Sequence, residues 1–393
     1  MGDSFYAVAL PWLVLTQGGN AQELGIILSA YGIPRIGSIL LGGILSDRLR
    51  PRRVMLIADA ARAVLVGILA ALALVGHPAM WTLIAVAIPL GAFGGLFLPP
   101  SFSILPDVLD DQDLQAGNAL NTTSQQLAGL VGTGTGGIVV AAVQSGMALV
   151  IDALSFVVSA VSLALIRGNA ASRPTPSPTS PQAAKTGEDT QVEEGSEAEQ
   201  PMTFWQLART SPVVQTAFII TLFANLTFGG LFEVALPSLA HGPLAAGATG
   251  YGAILAAFSA GALLGGIVTG MVKNIPRRGV VALGVSLLQA IAIAFVPYAG
   301  LAGAITFMAV MGIFNSVTNV IFITIIQQII PRHLLGRVMG VIMFGSLGSY
   351  PLSVVIVGVV VARAGPSIIF PIGGAMLFLA VLYGLFQKQI WEL

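Results

Sequence analysis

Cysteine is absent from this chain of 393 residues, and its absence excludes disulfide bonds, thiolate metal sites and cysteine nucleophiles. Histidine is almost as scarce. The three copies, His77, His241 and His333, lie far apart in predicted loops, so we expect no metal site and no cofactor. The sequence contains no phosphate-binding P-loop, and nothing places Ser, His and Asp as a catalytic triad. These absences argue against ATP hydrolysis by the chain and favour a protein that is not an enzyme.

Charge is also scarce, because Asp, Glu, Lys and Arg make up only 9% of the residues. A soluble domain carries about 25% charged residues, so this chain has too few to cover a surface that faces water. Hydrophobic residues make up 55%, and the mean hydropathy is +0.90. The net charge is zero, which removes any general case for nucleic-acid binding. The sequence therefore indicates a protein whose main partner is the lipid bilayer.

Long apolar runs recur along the whole chain, and each is long enough to cross a bilayer as a helix, which takes about 20 residues. Their length and continuity favour helices over the strands of a membrane barrel. We predict an all-α membrane protein with twelve transmembrane helices in two bundles of six. The predicted spans lie near residues 2–19, 25–45, 54–75, 81–105, 118–143, 147–166, 212–240, 247–270, 279–297, 303–330, 338–362 and 367–387.

A polar segment separates the two sets of six spans. Residues 168–203 are rich in proline, serine and acidic residues and have almost no large apolar side chains. Such a segment cannot bury enough surface to offset the entropy of ordering it, so we expect a disordered tether, with a regulatory segment as the alternative. The predicted organisation is a first bundle over 1–167, a linker over 168–203 and a second bundle over 204–393.

The basic residues are strongly one-sided. Fourteen of the 17 lysines and arginines fall in gaps, linker or tail on a single side of the predicted membrane, and only Arg363 marks the other side. Positive charge marks the cytoplasmic side, so both termini and the linker should lie in the cytoplasm. The fourteen are Arg48, Arg50, Arg52, Arg53, Arg167, Arg173, Lys185, Arg209, Lys273, Arg277, Arg278, Arg332, Arg337 and Lys388.

The gap between the second and third spans reads GGILSDRLRPRR over 42–53, and a degenerate copy without the aspartate occupies 265–278. The paired glycines Gly42 and Gly43 allow close approach of a neighbouring helix. Asp47 follows near the helix end, where arginines of the same gap can pair with it, and Asp107 is the natural second acid for this cluster. The alternative is that the arginines only anchor the topology. The candidate gate comprises Gly43, Asp47, Arg48, Arg52, Arg53 and Asp107.

Several strings together resemble the major facilitator superfamily over nearly the whole chain, and within it the drug and siderophore exporter branch. They are GDSFYAVALPWLVL, GGILSDRLRPRRVML, LPPSFSILPDVL, AGNALNTTSQQLAGLVGTGTGG, IDALSFVVSA and LLGRVMG. The resemblance implies that the 42–53 turn closes the cytoplasmic side, that substrate lies between two rocking bundles, and that half a helix precedes Gly2 and Asp3.

The string GTGTGG on the fifth span resembles the antiporter motif of that family, although Thr133 replaces its usual proline. Small residues at this spacing let two helices pack tightly and seal one side of a cavity, and plain helix packing is the alternative. The residues concerned are Gly132, Gly134, Gly136 and Gly137.

Charged residues inside the spans are the best candidates for the transport pathway, because each is expensive to bury and usually faces a cavity or a partner. Asp3 and Arg35 differ in depth by only about 6 Å at 1.5 Å per residue, so we expect them to pair. Glu233 is a candidate proton carrier, and Asp152 is a weaker candidate. Asn225 offers a hydrogen bond without charge. A second pair, Asp59 and Arg62, has i,i+3 spacing on the third span and should be structural.

These features predict a secondary exporter of lipophilic or amphipathic small molecules, coupled to protons by antiport with alternating access. We expect a monomer in the inner membrane of a bacterium. A siderophore or metabolite exporter is one alternative. A membrane sensor or scaffold that transports nothing is another, although such a protein has no need for Asp47 and its arginines.

Overall fold

A computed structural model of the chain describes residues 2–49, 51–76, 78–104, 114–165, 212–272, 277–329 and 332–387. Within these ranges the secondary structure is helical throughout, without a strand. The predicted linker over 168–203, and with it the boundaries of the two predicted domains, lies outside the described residues.

The described residues of the first half form six helices. They are α1 (Gly2–Thr16), α2 (Ala21–Arg48), α3 (Pro51–Val75), α4 (Met80–Ser103), and α5 and α6, which share the stretch Leu114–Leu165. This stretch breaks at Val143 and Gln144, whose backbone angles are not helical. We therefore assign 114–143 to α5 and 144–165 to α6, in agreement with the predicted boundary between the fifth and sixth spans.

Six more helices lie in the part of the second half that the structure describes. The helix α7 consists of Pro212–Gly230, a π-helical turn over Leu231–Ala235, and Leu236–His241. The remaining helices are α8 (Gly247–Met271), α9 (Arg278–Phe295), α10 (Gly300–Ile329), α11 (Arg332–Ala364) and α12 (Ile369–Leu385).

Most of these helices are apolar over their whole circumference. In the described part of the chain, nine helical stretches are long and apolar enough to cross a membrane, and one of them, Thr123–Leu165, covers both α5 and α6. The predicted fold, twelve membrane helices in two bundles, is confirmed.

The same packing pattern occurs in both halves. In the first half α2 packs on α4, and in the second half α8 packs on α10. Each of these two helices also crosses to the other half, since α2 packs on α11 and α8 packs on the α5–α6 stretch. The two halves therefore meet along two equivalent helix pairs.

We name the end of the bundle at which α2 ends and α3 begins the basic end, and the opposite end, where α1 ends at Thr16, the distal end. Two glycine-on-glycine contacts join the halves near the distal end. A Cβ atom built on Gly137 of α5 would lie 2.8 Å from the Cα atom of Gly252 on α8. A Cβ atom built on Gly25 of α2 would lie 3.4 Å from the Cα atom of Gly358 on α11. We call these two contacts the distal seal.

Candidate functional site

Three of the five predicted pathway residues, Asp3, Arg35 and Glu233, line a cavity of about 740 Å³ that is formed mainly by the first half. We call it the first-half cavity. Four charged side chains from four different helices line it: Asp3 from α1, Arg35 from α2, Arg62 from α3 and Glu233 from α7. The cavity thus gathers ionisable groups from both halves of the chain.

Asp3 pairs with Arg62 and not, as predicted, with Arg35. One carboxylate oxygen of Asp3 lies 2.5 Å from the Nη2 atom of Arg62. The prediction rested on depth alone, and Arg35 and Arg62 lie at similar depths on their helices. Depth does not determine which neighbour a side chain meets, since that depends on how the helices are rotated and arranged around α1.

Arg62 links two acids and two aromatic rings. Its Nη1 atom lies 3.3 Å from Asp59, as the i,i+3 spacing predicts, and Asp59 also accepts a hydrogen bond of 2.5 Å from Ser159 on α6. The guanidinium carbon lies 4.0 Å from the centre of the Phe156 ring, within range of a cation–π interaction. Only 8% of the Arg62 side chain and 1% of the Asp59 side chain are exposed. This set of contacts ties α1, α3 and α6 together beside the cavity.

Arg35 is the less constrained cation. Its guanidinium carbon lies 5.6 Å from the centre of the Tyr31 ring, one turn earlier on α2, and its Nε atom is buried without a hydrogen-bond partner in the described segments. Arg35 also lines a small cavity of about 150 Å³ shared with Asn225, Ser346 and Tyr350 of the second half. It therefore faces both halves at once.

Glu233 lies within the π-helical turn of α7. Pro237 has no N–H, so the Glu233 carbonyl cannot accept the usual bond from four residues later. The backbone instead forms a turn in which the Leu236 N–H donates to the Leu231 carbonyl, five residues back. Such turns often mark functional positions in helices. Glu233 lines the first-half cavity, and Arg35 is a charged group that acts on it electrostatically.

Ser353 of α11 supports the π-helical turn of α7 through two hydrogen bonds. Its hydroxyl accepts a hydrogen bond of 2.7 Å from the Gly230 N–H and donates one to the Leu226 carbonyl. A Cβ atom on Gly230 would lie 2.6 Å from the Cβ atom of Val357, so α7 and α11 are in close contact here. The irregular backbone around Glu233 is thus held in place by its neighbour.

Asp152, by contrast, does not join the group. It is 0% exposed on α6, and neither carboxylate oxygen has a hydrogen-bond partner among the described residues. It lines neither of the cavities that hold the other candidates. Asp3 and Arg62 nevertheless act on it electrostatically, so it lies behind the wall of the first-half cavity rather than on it.

The glycines of the GTGTGG string lie at contacts between helices. Gly137 belongs to the distal seal, and Gly136 faces α1, with a built Cβ atom 3.6 Å from the Cα atom of Phe5. A Cβ atom on Gly134 would touch Ala256 of α8 at 3.4 Å, and Gly132 is buried. The motif therefore lies along the boundary between the halves.

The candidate gate is only partly described. Gly43, Asp47 and Arg48 belong to α2, but their side-chain contacts lie outside the described part of the structure, as does Asp107 altogether. Arg53 is exposed. Arg52 makes a contact that the sequence did not suggest, since its Nε atom donates to the Leu163 carbonyl of α6 at 2.6 Å. Arginine is favourable there because the last carbonyls of a helix lack partners and carry partial negative charge.

A second cavity, of about 580 Å³, lies within the second half, and Asn225 is on its wall. We call it the second-half cavity. Its polar residues include Gln289 and Ser286 of α9, which the sequence reasoning did not single out. The sequence could have indicated them, because these two polar residues are three apart within an otherwise apolar span.

An all-helical chain with an apolar surface, two packed halves and a charged internal cavity has the architecture of a membrane transporter. A sequence model of the Major Facilitator Superfamily matches residues 1–350, and the chain belongs to that family.

Relatives and solved structures agree with this assignment. The multidrug efflux pump Tap of Mycolicibacterium fortuitum is 27% identical over 380 residues, which cover 93% of this chain and 87% of the relative. The MFS-type transporter YfiS of Bacillus subtilis (strain 168) is 23% identical over 418 residues, covering 100% and 91%. A bacterial homologue of the iron transporter ferroportin in an inward-facing state superposes with a TM-score of 0.70 at 12% identity, over 98% of this chain and 94% of that one.

Proposed function

We propose that this protein exports lipophilic or amphipathic small molecules from the cytoplasm by proton antiport with alternating access. The relatives named multidrug efflux pump support the direction and the substrate class, since they match 93% of this chain. The one-sided basic residues support a cytoplasmic basic end and cytoplasmic termini in a bacterial inner membrane. The protein works as a monomer.

The position of the distal seal supports an inward-facing state. The glycine contacts between the halves lie within about six residues of the distal helix ends, or roughly 10 Å at 1.5 Å per residue. The ring of Trp12 at the end of α1 also meets His241 at the end of α7, with ring centres 5.4 Å apart. With this end closed, substrate enters the cavities from the basic end. The candidate gate of Asp47, its arginines and Asp107 closes that end in the opposite state.

The observation that carries the coupling is the position of Glu233 in a π-helical turn on the wall of the cavity that also holds Arg35. When Glu233 is ionised, Arg35 balances its charge across the boundary between the halves. A proton that reaches Glu233 from the outside removes this attraction and favours the return of the empty carrier to the inward-facing state. Release of that proton to the cytoplasm restores the attraction and readies the carrier for substrate.

The test is efflux of the neutral fluorescent dye Nile red from bacterial cells that express the chain, with a protonophore added midway. Glu233→Gln keeps the size and polarity of the side chain but cannot exchange a proton. We expect wild-type efflux to stop with the protonophore and Glu233→Gln efflux to fall to the background rate.

A matched control is available in Glu23→Gln, at the start of α2. Glu23 accepts from the Asn20 N–H in a capping box, and glutamine also serves in such a box, so this variant should export like wild type. Asp47→Asn provides the comparison for the gate. Efflux lost in Asp47→Asn and retained in Glu233→Gln would keep the gate and refute Glu233 as the proton carrier.

A further inference from the structure

The second-half cavity differs chemically from the first-half cavity. No charged side chain lies among the described residues on its wall, which is formed by α7, α8, α9, α10, α11 and α12. Aromatic rings make up much of its apolar surface. Phe232 and Phe258 meet edge to face with ring centres 4.7 Å apart, and Phe228 lies 5.8 Å from Phe232. At about 580 Å³, the cavity is within the range of small-molecule sites.

A buried hydrogen-bond donor on this wall lacks a partner within the described part of the chain. Gln289 of α9 is 3% exposed, and its Nε2 atom is buried without a hydrogen bond to any described residue. An unpaired buried donor has lost its hydrogen bonds to water without replacement, so its presence calls for an explanation. A ligand that accepts a hydrogen bond from Gln289 in the cavity would supply the missing partner.

Several other polar side chains on this wall are paired within the protein. The Ser286 hydroxyl donates to the Ala282 carbonyl at 2.8 Å and lies 3.3 Å from the Thr318 hydroxyl. The Asn225 amide donates to the Ser346 hydroxyl at 3.0 Å. These groups shape the wall, whereas the side-chain amides of Gln289, Asn315 and Asn319 on the same wall are left for an occupant.

We propose that the second-half cavity is the binding site of the transported molecule, separate from the charged first-half cavity, and that it takes neutral molecules with aromatic rings and a hydrogen-bond acceptor. The Gln289 Nε2–H donates to that acceptor, and the phenylalanine rings contact the apolar part. This inference rests on the proposed export function, and it places substrate binding in the second-half cavity and proton coupling at the first-half cavity, which Glu233 lines.

The small cavity beside Arg35 connects the two sites. Asn225 and Ser346 line both this cavity and the second-half cavity, while Arg35 and Tyr350 line both it and the first-half cavity. An occupant that displaces the Asn225–Ser346 pair therefore acts on the surroundings of Arg35. This continuity gives bound substrate a physical route to the group that balances Glu233.

The absence of native cysteine makes a direct test possible, because any introduced thiol is the only one in the chain. Ala224→Cys places a thiol on the wall of the second-half cavity, and Ala7→Cys places a matched thiol on the wall of the first-half cavity. The rate of N-ethylmaleimide labelling of each full-length protein in detergent is measured with Nile red, which is neutral, and with ethidium, which is cationic.

We expect Nile red to slow labelling of Ala224→Cys at least about fivefold and labelling of Ala7→Cys less than twofold, while ethidium leaves Ala224→Cys unprotected. Adding Gln289→Leu, which removes the amide and keeps the bulk, should raise the half-protecting Nile red concentration about two- to tenfold, the equivalent of one hydrogen bond. Gln22→Leu, at an exposed glutamine near the distal end of α2, should leave that concentration unchanged.

Protection of Ala7→Cys instead of Ala224→Cys, or protection of neither, would overturn the proposed site. An unchanged half-protecting concentration in Gln289→Leu would overturn the role of the amide, and Gln289→Met serves the same purpose if the leucine variant does not purify as a folded protein. Export itself is judged separately, since binding at Ala224→Cys without Nile red efflux from cells would retain the site and reject the transport function.

Discussion

Replacing Gly137 by alanine should open the distal end of the protein. The added Cβ atom would lie 2.6 Å from the Ala248 carbonyl oxygen and 2.8 Å from the Cα atom of Gly252. Both distances are shorter than ordinary van der Waals contact, and the nearest atoms belong to backbone, which cannot move aside as a flexible side chain can. Because this contact joins the two halves, the strain falls on the state in which the distal end is closed.

Overpacking of a well-packed contact costs about 1–3 kcal/mol. If the strain is released when the distal end opens, it shifts the equilibrium toward the open state by roughly 5- to 150-fold, since 1.4 kcal/mol corresponds to a factor of ten. The shift applies to the ratio of open to closed molecules. The fraction of molecules that are open therefore rises by nearly the full factor only while the open state is a minor one.

The assay uses the cysteine-free background. Ala7→Cys lies on the wall of the first-half cavity, behind the distal seal, and a membrane-impermeant maleimide added outside the cells reaches it only when the distal end opens. We expect Gly137→Ala to raise its labelling rate by the factor above. Gly284→Ala on α9 is the matched control, because a Cβ atom there would meet nothing within 4 Å. Equal labelling rates in the two glycine variants would refute the assignment of this contact as the seal.

Two further predictions concern buried charge. Arg62→Met should lower the thermal unfolding midpoint of the detergent-purified protein strongly, since removing one partner of a buried pair costs about 3–5 kcal/mol, and adding Asp59→Asn should recover part of the loss. If the double variant is no more stable than the single one, Asp59 is not the acid left uncompensated. Asp152→Asn should unfold at the same or a higher temperature, because the buried carboxylate has no hydrogen-bond partner to lose among the residues that the structure describes. A lowered midpoint would indicate that Asp152 has an ionic partner in the fold.

The number and position of the helices could be predicted from the sequence, because the bilayer imposes one length on every span and excludes charge from most of it. Because charge is excluded from most of a span, the few charged residues inside the spans are recognisable as candidates for the transport pathway. Asp3, Arg35 and Glu233 were recognised in this way, and the structure brings them to one cavity. Depth along a helix follows from the rise per residue, so positions along the membrane normal were accessible without a structure.

The pairing of those charges could not be predicted, because it depends on helix rotation and on which helices become neighbours. Arg62 looked like the partner of Asp59 alone, yet it also binds Asp3 from a helix nearly 60 residues away in sequence. Gln289 was missed for a related reason. A glutamine in an apolar span is recognisable, but whether its amide is satisfied depends on side chains from α10 and α12 that only the folded bundle brings near.

The glycine pairs of the distal seal also bear on how fast the protein can change state. Where two helices meet through interdigitated side chains, separating them requires each side chain to leave its neighbour and adopt another rotamer. At Gly25–Gly358 and Gly137–Gly252 no side chain stands between the backbones, so the halves can part there without such rearrangement. The two contacts therefore add little to the kinetic barrier for separating the halves. The rate at which the distal end opens should depend mainly on the aromatic and charged contacts elsewhere.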